Sequence, residues 1–236
     1  MSAPRNRRSA AIRVALAALV ATLAVSCGGD DSSPTAPSTQ NPTPVSITVY
    51  ASEDRAVVWS SSNPERANNV EPAYMVNHVG WGYDVGAGNV VSSIGWGLAL
   101  RFDVQSQIAG RDVAKATLRL DTLWVRPDLT VTPQIRVRAF QDDWNPAGVN
   151  WTVWAGLACH TTGEAQAAAP SAEVPVDFDV TSIVRNWASA SWGSYGLKVM
   201  VDDAYPGRPS NAITSFQSLG SNRSASQVPR LIVEFR

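Results

Sequence analysis

Residues 97–104 read GLALRFDV. Leu98, Leu100, Phe102 and Val104 point one way, and Arg101 and Asp103 point the other. Strict alternation of this kind marks a strand with one face buried and one wet. The pattern repeats on both sides. In VAKATLRLDTLW (113–124), Ala116, Leu118, Leu120 and Trp124 share a face against Lys115, Arg119 and Asp121. QIRVRAF (134–140), EVPVDFDV (173–180), GLKVMV (196–201) and RLIVEF (230–235) alternate in the same way. Pro and Gly clusters separate the runs. Many short strands with turn signals between them predict an all-β, antiparallel, jelly-roll-like sandwich. One short helix fits this scheme. Val180, Ile183, Val184 and Trp187 recur at helical spacing, with Asp179 or Thr181 as the cap. Gly88-Asn89 predicts a hairpin turn inside residues 79–98. Folding there sets Trp81 opposite Trp96, Tyr83 opposite Ile94 and Val85 opposite Ser92.

The N-terminus has a different character. Arg5, Arg7, Arg8 and Arg13 precede an apolar run, VALAALVATLAV (14–25). That run is shorter than the roughly 20 residues a membrane-crossing helix needs. It reads as residues 1–26 of a secretory signal peptide. Ala24, Val25 and Ser26 precede Cys27, and Gly28 and Gly29 follow. The cut site resembles the lipobox of bacterial lipoproteins, with Ala24 where Leu is usual. The resemblance implies a lipidated Cys27 and placement in the cell envelope, outside the cytoplasm, at the outer membrane or cell surface. Residues 28–45 (GGDDSSPTAPSTQNPTPV) are too polar and Pro-rich to fold, and predict a disordered tether. Fully extended, it reaches roughly 55–60 Å. Residues 46–236 remain for a single domain.

The chain carries 19 basic and 20 acidic residues, a net charge of −1. Without the four signal arginines, 15 basic residues face 20 acidic ones, a net charge of −5. No basic stripe interleaves with aromatics, which argues against nucleic acid as a partner. With Cys27 assigned to lipid, Cys159 has no partner, so no disulfide is expected. Its thiol is either a small buried hydrophobe or a reactive group.

Several motifs in order carry a family resemblance. Ala51–Trp59 (ASEDRAVVW) opens it. Leu100–Val104 followed by Val113–Leu120 forms an R-F-D … A-x-L-x-L core. Trp144 and Trp151 form a W … T-W pair in which Asn150 replaces the Thr. Phe178–Trp187 (FDVTSIVRNW), Gly196-Leu197, Phe216 to Ser218 and Pro229–Phe235 complete the series. Residues 48–236 resemble the DNRLRE-type domain, grouped with carbohydrate-binding module family 96. The stretches 78–97 and 155–172 depart from that pattern. The resemblance implies a jelly-roll-like sandwich, extracellular placement and, for some members, polysaccharide binding.

No catalytic constellation stands out. The chain has two histidines, His78 and His160, and neither G-x-S-x-G nor H-E-x-x-H. Cys159 and the adjacent His160 point to opposite sides if extended, which makes a poor nucleophile–base pair. Asp142-Asp143 and Asp202-Asp203 are carboxylate doublets in loop contexts. Asp54, Asp179 and these loop acids are candidate calcium ligands, and the alternative is that they cap turns. No other cofactor is expected.

Nine tryptophans are the strongest compositional signal. Trp124, Trp144, Trp151 and Trp187 read as core, while Trp59 reads either way. Trp192, Trp81, Trp96 and Trp154, with Tyr83 and Tyr205, lie in Gly-rich, Ser-rich or loop contexts. They are the candidate ligand-binding residues, because flat aromatic faces suit sugar rings. The expectation is a non-catalytic, surface-anchored module for polysaccharide or cell-envelope glycan, touching the membrane only through its lipid. The alternative is a structural or adhesive spacer. A hydrolase would need a titratable pair converging in one cleft.

Overall fold

The computed structural model describes residues 45–69, 76–85, 91–125, 132–201, 212–219 and 225–236. Cys27, Tyr205 and the Asp202-Asp203 doublet lie outside them, as does the Gly88-Asn89 turn. The described residues belong to one unit, Pro42–Arg236. In chain order the strands are β1 (Ser46–Tyr50), β2 (Glu53–Ser60), β3 (Val76–Val85), β4 (Val91–Arg101), β5 (Val113–Leu120) and β6 (Thr122–Val125). They continue as β7 (Gln134–Ala139), β8 (Ala165–Ala168), β9 (Val176–Asp179), β10 (Leu197–Val201), β11 (Ala212–Gln217) and β12 (Arg230–Phe235). Three short helices interrupt them: α1 (Gln105–Ile108), α2 (Trp151–Gly156) and α3 (Thr181–Ala188).

The all-β, antiparallel sandwich-like fold stands. One sheet has the order β1-β12-β5-β9. The larger sheet is built on β4. One edge of β4 pairs with β2 through residues 94–101. Its other edge pairs first with β3 and then with β10. The sheet therefore forks, with β11 and β6 continuing one branch and β7 and β8 the other. Between the two sheets lie the alternating side chains predicted from sequence. Leu98, Leu100, Leu118, Phe178, Leu197, Val199 and Leu231 have no exposed surface. Each such side chain stabilises the fold by about 1.5–3 kcal/mol. Helix α3 lays Ile183, Val184 and Trp187 on this core. Asp179 accepts the Thr181 N–H at 3.0 Å, satisfying one of the donors that a helix start leaves open.

Three expectations need correction. Helices α1 and α2 join α3; at four and six residues they are too short to print a period on the sequence. Residues 113–124 are not one strand. The run breaks at Asp121, β6 moves to the other sheet, and Trp124 is 43% exposed rather than inward. Residues 155–172, for which the sequence carries no structural expectation, contribute β8.

The third correction is the register of the β3–β4 hairpin. The hairpin exists, but Trp81 pairs with Gly95, Gly80 with Trp96, Gly82 with Ile94 and Tyr83 with Ser93. That is one residue away from the predicted pairing. A one-residue slip moves a side chain to the opposite face, so Trp81 and Trp96 do not form a pair. Gly80 lies in β3 opposite Trp96. Its φ of 134° suits glycine alone. Val79 lies in the main core, and Trp81 lies over Gly95 while also packing against that core.

Candidate functional site

Two concave regions bring together the residues singled out above. The first lies between the N-terminal end of α3, the start of β5 and the loop before β8. It is a groove of about 530 Å³ lined by Lys115, Glu164, Asp179, Thr181, Ser182 and Arg185, with Gly163 and Ala114. Arg185 donates to the carbonyls of Val113 (2.8 Å) and Ala114 (2.9 Å), which ties α3 to β5. Ala116 N–H donates to the Thr181 hydroxyl at 2.9 Å. Gly163 has a φ of 77°, and a Cβ there would meet Ser182 Oγ at 2.6 Å. Only glycine lets the loop approach α3 this closely.

Trp192 lies close to this groove without lining it. Its ring edge lies 3.8 Å from where a Gly163 side chain would begin. Trp192 is half-buried against the main core, and His160 stacks on it with ring centroids 3.7 Å apart and planes 4° apart. The two rings form a double-layered aromatic wall beside charged and hydroxyl groups.

The groove holds two carboxylates, Asp179 and Glu164, and both are engaged by neighbours. Asp179 accepts both the hydroxyl and the N–H of Thr181, and these bonds hold its carboxyl below the usual range. Glu164 is engaged through both oxygens, Oε1 by Arg136 at 2.8 Å and Oε2 by the Nε of Arg138.

The second region is the outer face of the larger sheet, beneath α2. Asn150 caps α2 by accepting the Val153 N–H at 2.9 Å, a role that Asn fills as well as the Thr of the family pattern. Its amide also donates to Asn68 O at 3.0 Å, and the Thr152 hydroxyl donates to Ala67 O at 3.2 Å. These bonds hold α2 against the 3-10 turn Pro64–Asn68. Below, Trp59, Trp81 and Trp151 meet edge to face at 6.0 and 5.9 Å, and Trp151 meets Trp154 at 5.0 Å. Gly95 and Gly97 are the sockets for this row. A Cβ on Gly95 would sit 2.6 Å from the Trp81 ring, and one on Gly97 would sit 2.3 Å from the Trp154 ring.

Trp154 is therefore corrected. It lies on a helix rather than in a loop, is 3% exposed, and donates its indole N–H to Leu98 O at 3.3 Å. Its burial leaves no open face for a sugar. Trp151, read as core, is half-buried and shares a cavity with Trp154. Trp96 is half-buried and tilts against His78, 5.9 Å away. His78 Nδ1 lies 2.8 Å from Ser215 Oγ, and burial lowers its pKa. Tyr83 is placed only by its backbone pairing with Ser93.

Asp54 and Asp179 sit in different sheets and do not share a site. Asp54 Oδ2 accepts from Asn77 Nδ2 (2.7 Å) and from the Leu219 N–H (2.8 Å), which joins three chain segments. Two donors on that oxygen leave poor access for a cation. Among the described residues no group of three or more His, Cys, Asp or Glu side chains could hold a metal ion. Of the loop doublet, Asp143 is used structurally. It accepts from Arg101 at 2.5 Å and from the Trp144 N–H at 2.9 Å. Cys159 and His160 face different surroundings, the cavity beside α2 and the Trp192 wall.

Sequence reasoning singles out Trp192 but does not mark most of the groove near it. Glu164, Ser182 and Arg185 carry no local pattern that marks them, because the groove is made by chain crossings. His160 draws notice in the sequence only beside Cys159, and its ring partner lies 32 residues away, outside any periodicity. No family model matches the sequence. No curated protein matches it.

Proposed function

We propose that the folded domain is a non-catalytic carbohydrate-binding module, held at the cell envelope through a lipidated Cys27. The observation that carries this reading is the Trp192–His160 wall beside a polar groove of about 530 Å³. Binding sites for small ligands commonly span about 300–1,000 Å³ and combine flat apolar surface with a few fixed polar groups. Here Lys115, Ser182 and Arg185 offer donors to sugar hydroxyls, and the carboxylates of Asp179 and Glu164 offer acceptors. The engaged state of both carboxylates favours binding over hydrolysis.

The test is a panel of neutral and acidic polysaccharides against the full chain, followed by calorimetry on the best ligand. Trp192→Ala should weaken binding by about 2 kcal/mol or more, as truncated aromatic anchors do. Trp192→Phe should recover part of the loss, and circular dichroism should show both variants folded. Binding unchanged in Trp192→Ala would place the site elsewhere. No binding across the panel would favour the second reading, a structural or adhesive spacer. One observation favours that reading: four indoles, Trp59, Trp81, Trp151 and Trp154, are spent on each other beneath α2.

A further inference from the structure

Trp192 does not offer both of its faces. The His160 ring lies parallel to the indole, with 3.7 Å between centroids and 4° between planes. At that separation the two rings are in van der Waals contact, and nothing fits between them. The indole also packs on the main core. The outer layer of the stack is the imidazole, and Trp192 is its backing.

The backbone fixes that layer. His160 N–H donates to Ala139 O at 2.9 Å, and Gln141 N–H donates to Ala158 O at 2.9 Å. These bonds flank the antiparallel bridge between Phe140 and Cys159. Gln141 Nε2 adds a bond to Cys159 O at 3.1 Å. Cys159 lines the cavity beside α2, and alternation along the extended chain sends the next side chain, His160, the other way. On the indole side, Trp192 N–H donates to Asn186 O at 3.2 Å. Both rings are carried by backbone that is ordered before any ligand arrives, which spares binding that entropy cost.

The imidazole edge is unspent. Among the described residues, neither His160 ring nitrogen has a hydrogen-bond or ion-pair partner. Neither is one of the buried polar atoms that lack a partner, so both are open to solvent. His78 differs: its Nδ1 is committed to Ser215 Oγ at 2.8 Å. A neutral imidazole carries a donor and an acceptor on one flat ring. A pyranose has the matching chemistry, a face of C–H groups and a rim of hydroxyls.

We infer that His160, not Trp192, presents the face on which the sugar stacks. The C–H face of a pyranose lies on the imidazole, and its rim hydroxyls bond the two ring nitrogens. Trp192 keeps the imidazole in place. Gly163 and Glu164, a few residues further along the chain, line the groove, so the next units of a glycan chain enter it. This inference rests on the glycan-binding reading and names the side chain that makes its central contact.

The probes are cellohexaose, xylohexaose, mannohexaose and hexagalacturonate, each titrated into the full chain by calorimetry. For any that binds, His160→Ala should lower the affinity about tenfold or more. His160→Phe keeps a flat face without the nitrogens and should fall between the parent and His160→Ala. Circular dichroism checks that both variants fold. The deciding measurement uses the unaltered protein with labelled histidine and tryptophan rings. Nuclear Overhauser effects from the sugar C–H protons should reach the His160 ring. The chain has two histidines, so His160→Ala assigns the signals. Effects that reach the Trp192 ring and not His160 would overturn the inference and leave the glycan reading standing. So would unchanged affinity in a folded His160→Ala. If the parent chain binds none of the four probes, this inference falls, and the wider polysaccharide panel decides the glycan reading separately.

Discussion

Gly97→Ala is the sharpest probe of how the larger sheet carries α2. Two effects compete. In a regular strand, Ala loses less backbone entropy on folding than Gly, which favours the substitution by about 0.5–1 kcal/mol. Against this, the new Cβ would stand 2.3 Å from the Trp154 ring. That ring has little freedom to retreat. It is 3% exposed, its N–H reaches Leu98 O at 3.3 Å, and the Lys198 ammonium lies 4.2 Å from its centroid. Overpacking at such a site costs about 1–3 kcal/mol, so a net destabilisation is expected. The assay is urea unfolding followed by far-ultraviolet circular dichroism, since indole fluorescence would respond to the ring shift itself. Gly156→Ala is the control. It sits at the end of α2 with nothing within 4 Å of its added Cβ, and should be neutral or stabilising. The double variant Gly97→Ala/Trp154→Leu completes the cycle: with the indole gone, the added methyl should cost nothing. A Gly97→Ala variant as stable as the parent, or a penalty that persists without the indole, would refute the socket argument.

Burial raises the pKa of Asp54 in the folded state, so the native protein binds this proton more tightly than the unfolded chain does. Stability then falls as pH rises from near 3.8 through the raised value. Asp54→Asn keeps an acceptor for Asn77 and Leu219 and should flatten that decline; parallel stability–pH curves for the two proteins would dismiss the idea. Cys159→Ala should shift unfolding by about 1 kcal/mol, an ordinary change for a small half-buried side chain, and a much larger loss would mean the thiol has a structural partner. Palmitate fed to expressing cells should label the parent chain and not Cys27→Ser, and equal labelling of both would end the lipid-anchor proposal.

The fold class was legible because period-two alternation survives any detail of pairing. Leu98, Leu100, Leu118 and Phe178 face the core whichever neighbour their strand takes. The stripe of α3 was legible for the same reason: Ile183, Val184 and Trp187 are fixed on one side by helical geometry alone. What failed depended on a partner remote in sequence. Trp124 continues the alternation of β5 by number, but the chain changes sheet at Asp121 and the stripe ends there. Helix α2 has no period to read and is held by its Asn150 cap and by Asn68, more than 80 residues away.

The tryptophans show why a site is harder to read than a fold. In sequence, the Gly-Trp-Gly triplets resemble two mirror-placed ligand platforms around a turn. A shift of one residue in register separates Trp81 from Trp96, and Gly95 and Gly97 then become sockets for indoles brought from β3 and α2. The same glycines that suggest open, loop-like sequence are what allow close packing. Counting aromatics in Gly-rich stretches therefore overstates the surface offered to a ligand, because a missing side chain leaves room for a ring as readily as for a sugar. The two cases are told apart by what borders the ring. Trp81 is bordered by Trp59 and Trp151, which makes it part of a packed row. Trp192 is stacked by His160 and packs against the main core, and it lies near a groove of Lys, Arg, Ser and carboxylate groups. That polar neighbourhood makes Trp192 the place where glycan binding is to be tested first.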